Sequence, residues 1–286
     1  MKIIDRLFVV QAWDIGYSFS KITTPTELKN AQFRIIKSTR KEWYADPFCV
    51  QDNDNYYIFC ESFDLKKGKG RIGVFDYKKD SFSKCNIIID EPFHMSYPNV
   101  FKIKDNWYMI PEICESSELR LYKAESFPYK WSLLKVLMKG VKYVDSTFCT
   151  SKGRTELLCY DISNKPFKLK KYAIDYNTWD LTFLNEISDF SMVYRPGGNS
   201  TDGFFISQYN QNYYGQGLVF TKDPFLSRLS SDYQLISTEN IACGKKYFGI
   251  HTLNSSLSFS TIDLLHKKIC LSKPFFALFR RKKQNV

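Results

Sequence analysis

The chain has 286 residues, 44% hydrophobic and 17% aromatic, and carries a net charge of +11. That is long enough for one large domain or two small ones. No run reaches the roughly 18 apolar residues of a membrane-spanning helix. Three histidines, His94, His251 and His266, together with widely spaced cysteines, exclude a zinc cluster, and the positive charge comes with no basic helix or recognition motif, so nucleic acid is not the expected partner.

The first segment, VVQAWDIGYSF at 9–19, is strand-like and is expected to close a ring with the last sheet of the molecule. From there a similar phrase recurs about every 50 residues. The five phrases are YADPFCV at 44–50, SYPNVFKI at 96–103, VDSTFCTS at 144–151, YRPGGNS at 194–200 and FGIHTLN at 248–254. After each phrase comes an Asp-, Asn- or Gly-rich turn, as in QDNDN or KDN, and then an aromatic-rich strand with a polar end. Those second strands finish at Glu61, Glu112, Asp161, Gln208 and Asp263. Third strands follow at 70–77, 118–124, 168–174 and 215–222, with weaker fourth strands at 86–90 and 135–139. No segment carries a sustained apolar stripe of helical period. Short strands repeated at this spacing predict an all-β fold, a five-bladed β-propeller, with residues 1–270 as one propeller and 271–286 as a tail.

The first strand of each blade lines the central channel. Asp46, Tyr97, Asp145, Arg195 and His251 would therefore converge on one axis. Glu112 follows Pro111 and an apolar WYMI run, so its carboxyl is expected to be desolvated and raised in pKa, as a general acid requires; it reads equally as a structural glutamate bonded to backbone N–H groups. Glu61 is its equivalent in blade one. Asp46 reads either as a reactive carboxylate or as a turn cap. Arg195, with Gly197 and Gly198 behind it, offers a planar fork to a phosphate or to a channel acid. Gln208, Tyr213 and Tyr214 suit hydrogen bonding and stacking on sugar, and His94 stands near the same rim. His251 reads as a satisfied channel histidine, as a group acting on a substrate hydroxyl, or as a water-bridged support for a calcium ion; no direct metal ligand set is expected.

Eight cysteines without a C-x-x-C pair, most of them in apolar runs, read as small hydrophobes of a reduced compartment. The start of the chain is too interrupted for a signal peptide, so a cytoplasmic address is expected. The tail joins an apolar run to four cations, FFALFRRKK at 275–283. It reads as a peripheral anchor at an anionic membrane surface or as a soluble end.

WDIGY, ADPF, SYPNVF, MIPE, VDSTF, YRPGG, SQ followed by YYGQG, and GIHTLN occur in this order across nearly the whole chain. Together they resemble the N-terminal propeller domain of plant glucosamine inositolphosphorylceramide transferases and its stand-alone bacterial relatives, which are associated with surface-polysaccharide assembly. The layout is more distantly similar to the five-bladed furanosidase clan of arabinanases and xylosidases. The resemblance implies a carbohydrate-handling propeller with its site at the channel mouth. In the furanosidase-like propellers the aspartate matching Asp46 is a general base or a sugar-binding carboxylate. The function expected is a glycosyltransferase-like enzyme of polysaccharide or glycolipid assembly. Asp46, Asp145 and Glu112 would be catalytic, and Arg195 would hold the phosphate of a nucleotide-sugar or of a lipid-linked acceptor at the inner membrane surface. The alternatives are a glycoside hydrolase, against which blade two lacks its inner-strand carboxylate, and a non-catalytic sugar-binding propeller.

Overall fold

The computed structural model describes residues 8–151, 154–191, 193–199, 204–222, 225, 233–270 and 273. The basic apolar stretch at 275–283 lies outside the described residues. Among the described residues, twenty-one strands form five antiparallel sheets. The chain begins with β1 (Val9–Ser18), a short helix α1 (Pro25–Asn30) and β2 (Arg34–Ile36). Blade one holds β3 (Glu42–Asp52), β4 (Asn55–Asp64), β5 (Lys69–Lys78), β6 (Ser81–Phe82) and β7 (Asn86–Ile89). Blade two holds β8 (Ser96–Ile103), β9 (Asn106–Glu112), β10 (Glu118–Ser126) and β11 (Lys130–Lys139). Blade three holds β12 (Tyr143–Ser151), β13 (Arg154–Asp161), β14 (Phe167–Ile174) and β15 (Leu181–Asp189). Blade four holds β16 (Phe205–Tyr209), β17 (Gly217–Thr221) and β18 (Gln234–Ile236). Blade five holds β19 (Tyr247–Gly249), β20 (Leu253–Ser255) and β21 (Ser260–Ile269).

The expected ring closure is present. β1 pairs with β21 from Val9 opposite Ile269 to Ser18 opposite Ser260, and β2 adds outside it. The first described strand is thus a central member of the last sheet, between β21 and β2, and joins the two ends of the ring in one ladder.

Why the strands are nearly continuous apolar runs follows from how the blades stack. Each sheet is covered on both faces, and the buried side chains sort into interfaces between neighbouring blades. Phe48, Phe59 and Val74 of blade one meet Val100, Met109 and Tyr122 of blade two. Ile110 and Leu121 meet Phe148 and Leu157 of blade three. Leu158 and Leu169 meet Tyr194 and Phe205, and Ile206 and Phe220 meet Ile262 and Leu264. The ring closes where Ile15, Tyr17 and Phe259 meet Tyr44, Ile58 and Phe75. Burying one such side chain contributes about 1.5–3 kcal/mol, and no blade can obtain it alone. α1 is capped by Thr24 and Glu27 in a reciprocal box and packs Leu28 into the interface of blades four and five.

Three inner strands share one irregularity. The ladder slips between Ala45 and Phe48, between Ser96 and Asn99, and between Val144 and Thr147. In each case one extra residue on the inner strand makes a β-bulge. The residues in the bulges, Asp46, Tyr97 and Asp145, have φ of 49°, 45° and 48°. A left-handed backbone is uncommon away from glycine. Here it turns an inner-strand residue out of the pleat at the same level of three blades.

Blades four and five depart from the expected pattern. Residues 193–199 do not form a strand and touch β16 through a single bridge, Pro196 to Ser207. Pro196 has no N–H to give a ladder. Gly198 has φ 133°, and a Cβ there would stand 1.9 Å from the carbonyl oxygen of Leu253. The inner segment of blade four is pressed directly onto blade five. In blade five the inner strand breaks into β19 and β20, and the N–H groups of His251 and Thr252 turn to the Asp263 carboxylate instead. In blade three the residue opposite Val144 is Tyr160, whereas Glu61 and Glu112 stand opposite Ala45 and Ser96. Asp161, which the sequence pattern aligns with those glutamates, is one residue further on and pairs with Lys170 at 2.8 Å.

Candidate functional site

At the channel mouth two charged clusters stand side by side. In the first, the buried His251 lies between two aspartates: Nδ1 is 2.8 Å from Asp263 Oδ2 and Nε2 is 3.1 Å from Asp46 Oδ1. Burial alone drives the imidazole towards its neutral form, but Asp263 and Asp46 outweigh it and push its pKa up to about 10. The ring is therefore an imidazolium at neutral pH, and it packs against Trp13 with centroids 4.2 Å apart. Asp46 also accepts the Thr252 hydroxyl at 3.0 Å and the Tyr97 backbone N–H at 3.3 Å. Asp263 accepts the backbone N–H of Asp46 at 3.0 Å besides those of His251 and Thr252. It pins the bulge of blade one to the break in blade five.

In the second cluster Arg195 donates through Nε to Asp145 Oδ2, which also accepts from Gln208 Nε2 at 2.8 Å. Arg195 Nη2 lies 3.6 Å from Glu112 Oε2, and its guanidinium sits 5.3 Å from the centre of the Tyr214 ring. Glu112 Oε2 is buried without a hydrogen-bond partner. Desolvation, and after it the neighbouring Asp145, push the Glu112 pKa well above the usual carboxylate range, against the opposing pull of Arg195. Glu61 behaves alike: burial first, then Asp46, raise its pKa, and its Oε1 is also buried without a hydrogen bond. His94 Nε2 lies 3.4 Å from that oxygen, and burial lowers the His94 pKa.

The residues singled out from sequence thus fall into distinct settings. Asp46, Asp145, Glu112, Arg195, Gln208 and His251 form the two linked clusters, and Glu61 and His94 flank them on the side of blades one and two. Tyr214 covers Arg195 and touches His251 edge-on at 5.1 Å. Tyr97 has its ring fully buried, and its hydroxyl accepts the Gly198 N–H at 2.8 Å. Its contribution at the mouth is its backbone N–H to Asp46. Tyr213 turns away and donates to the Phe248 carbonyl.

Residues that sequence reasoning did not assign complete the site. Trp13, Thr252 and Asp263 build the first cluster, the last from a position already visible as a polar strand end. Below the acids, Asn99, Asn199 and Asn254 tie the blades together. Asn199 bonds Asn99 Oδ1 at 3.1 Å, the Phe148 N–H at 3.0 Å and Asn254 Oδ1 at 3.0 Å, while Asn254 reaches the Pro47 carbonyl. The signal was an asparagine two to four residues after the channel residue in SYPN, RPGGN and HTLN.

Asp46, His251 and Asp263 are a donor set that could ligate a cation. Their mutual contacts of 2.8 and 3.1 Å have the length of ion pairs, while Nδ1 of the ring makes no hydrogen bond. A calcium ion, with oxygen ligands at about 2.3–2.6 Å, would have to displace the imidazolium.

Fold and site together define a five-bladed β-propeller whose channel mouth holds buried acids paired with one imidazolium and one guanidinium. Residues 27–192 match the family model described as glucosamine inositolphosphorylceramide transferase 1, N-terminal, and the chain belongs to that family. It is 30% identical over 197 residues to glucosamine inositolphosphorylceramide transferase 1 of Oryza sativa subsp. indica, an alignment covering 65% of this chain and 25% of that protein. The chain therefore spans about a quarter of the length of this curated relative. Among solved structures it is similar to the exo-beta-1,3-galactanase of Phanerochaete chrysosporium, with TM-score 0.53, 11% identity and coverage of 89% of this chain and 64% of the other. It is also similar to the catalytic domain of the Coprinopsis cinerea GH62 alpha-L-arabinofuranosidase, with TM-score 0.50, 10% identity and coverage of 80% and 92%. At such identities the likeness is one of fold. Its relatives by sequence and by fold are carbohydrate-related proteins.

Proposed function

We propose that the channel mouth makes or breaks a glycosidic bond of an uncharged glycan, with Glu112 as general acid and Asp46 as general base. One observation carries this reading: two carboxyl groups of the neighbouring clusters stand in settings suited to opposite proton traffic. Glu112 has a buried Oε2 without a hydrogen-bond partner, and burial, then Asp145, raise its pKa well above the usual carboxylate range. Asp46 is presented as a carboxylate to Thr252, the Tyr97 N–H and the His251 imidazolium. As the bond between the anomeric carbon and the leaving oxygen breaks, the Glu112 proton passes to that oxygen. As a new bond forms from water or an acceptor hydroxyl, its proton passes to Asp46. Burial, and after it Asp145, favour the protonated form of Glu112, and Asp145 adds negative charge near an oxocarbenium-like centre.

Charge favours a neutral glycan over a phosphorylated donor. Three aspartates against two cations leave the site negative even with both glutamates protonated. The Arg195 fork faces Asp145 and Glu112, and Tyr214 packs on its face. A pyrophosphate would meet a negative site with the Arg195 guanidinium engaged. Transfer within polysaccharide or glycolipid assembly remains the wider setting suggested by the family, with the glycan itself as donor.

The test compares melting temperatures with a panel of neutral oligosaccharides and a panel of nucleotide-sugars, and measures product release from the former. Neutral oligosaccharides are expected to stabilise the protein and to be turned over. Asp46→Asn and Glu112→Gln should each lower turnover by about 10²–10⁴-fold while retaining the stabilisation. Stabilisation by nucleotide-sugars alone, lost in Arg195→Ala, overturns the reading.

A further inference from the structure

Between blades one and two a cleft of about 530 Å³ opens onto the surface, lined by Lys67, Gly68, Lys69, Pro92, His94 and Glu115. Its size lies within the range of about 300–1,000 Å³ usual for small-molecule sites. His94 joins it to the channel. His94 Nδ1 accepts the Gly70 N–H at 3.1 Å, so the neutral ring carries its proton on Nε2, 3.4 Å from Glu61 Oε1. Glu61 is about nine-tenths or more buried, at 5% exposure, and this oxygen has no hydrogen bond. A buried polar atom left unpaired costs about 1–3 kcal/mol, and a ligand hydroxyl would recover that.

The close approach of Glu61 and His94 depends on a glycine. Gly70 lies where a Cβ would come within 2.4 Å of Glu61 Oε1, 2.5 Å of the Met95 carbonyl and 2.9 Å of His94 Cε1. Rings stand beside the polar pair: Phe63 lies 6.2 Å from the His94 ring and stacks in parallel on Trp43, centroids 4.4 Å apart. The charges of the cleft are already answered. Lys67 and Lys69 both reach Asp90, and Glu115 accepts the His94 N–H at 2.7 Å. Rings for a C–H face, an unpaired carboxyl and an imidazole N–H for hydroxyls, and balanced charge describe a place for an uncharged sugar.

We propose that this cleft is a sugar subsite of the channel, so that the substrate is an oligosaccharide running from the acids outward between blades one and two. The proposal rests on the glycan reading above. The Glu61–His94 pair holds a sugar hydroxyl there, and Phe63 backed by Trp43 holds its apolar face.

An array of defined neutral oligosaccharides identifies the trisaccharide that wild type binds best, and calorimetry then compares that trisaccharide with its component monosaccharides. Wild type is expected to bind the trisaccharide at least about tenfold more tightly, equivalent to about 1.4 kcal/mol. His94→Ala and Phe63→Leu should each erase that advantage. His94→Gln, which keeps a donor near Nε2, should restore part of it, and melting temperatures identify any variant that fails to fold. An advantage that survives in both variants overturns the subsite. Length-dependent binding without turnover overturns the acid–base reading and leaves the subsite standing, turnover without length dependence does the reverse, and an array with no binder overturns both.

Discussion

His251 is where charge, packing and backbone geometry meet. Its ring balances Asp46 and Asp263, rests on Trp13 and stands beside Tyr214. Removing it would leave two buried carboxylates facing each other. His251→Phe, which keeps a ring on Trp13, is expected to cost about 3–5 kcal/mol in denaturant unfolding, the usual result of breaking a buried pair from one side. The pH dependence has a definite sign. The folded-state pKa is raised from 6.5 to about 10, so the stabilisation is whole below the unfolded value and fades as pH rises through the folded one. Unfolding free energies measured from about pH 6 to about pH 10 should fall, and the fall should be shallower in the variant. The buried glutamates Glu61 and Glu112, also raised, add the same sign and remain in both proteins. Much of this site was legible in sequence, because Asp46, Asp145, Arg195 and His251 sit at one place in a repeated phrase. Trp13 and Asp263 were not, because their roles depend on a partner more than 200 residues away or on a broken strand.

The strand ends matter more than the strands. The bulges of blades one, two and three turn Asp46, Tyr97 and Asp145 into left-handed backbone at one level. Proline, asparagine and serine or threonine after these residues hint at irregularity, but the hand of a backbone angle is not written in a residue name. The asparagine layer beneath keeps the bulges in place. Asn199 alone contacts blades two, three and five. Asn199→Ala would leave the Phe148 N–H and the Asn99 side chain short of partners, and is expected to lower stability by about 1–3 kcal/mol for each buried group stranded, read by chemical denaturation. Blade four shows the limit of pattern reading. Its phrase was expected to be a strand, but a proline without an N–H and a glycine at φ 133° make it a packed loop.

For the whole molecule, the repeat spacing and the strand-like first segment sufficed to anticipate five blades and their closure. The closure itself decides whether the ring is one cooperative unit. β1 supplies Ile15 and Tyr17 to the interface with blade one, and Trp13 to the channel. Deleting residues 1–18 should therefore expose that interface, remove the wall behind His251 and replace a single unfolding transition by a broad one at lower temperature, as seen by calorimetry. An outcome with a sharp, unshifted transition would show that the other four interfaces suffice.

The antiparallel pairing of β1 with β21 also fixes how the ring answers a mechanical load. Phe8 and Cys270 are joined by a hydrogen bond at one end of that ladder, so tension applied at both points pulls along the direction of the inter-strand bonds. The two strands then unzip pair by pair instead of sliding past one another in shear. Anything tethered to the two ends of this propeller pulls on its weakest mechanical axis.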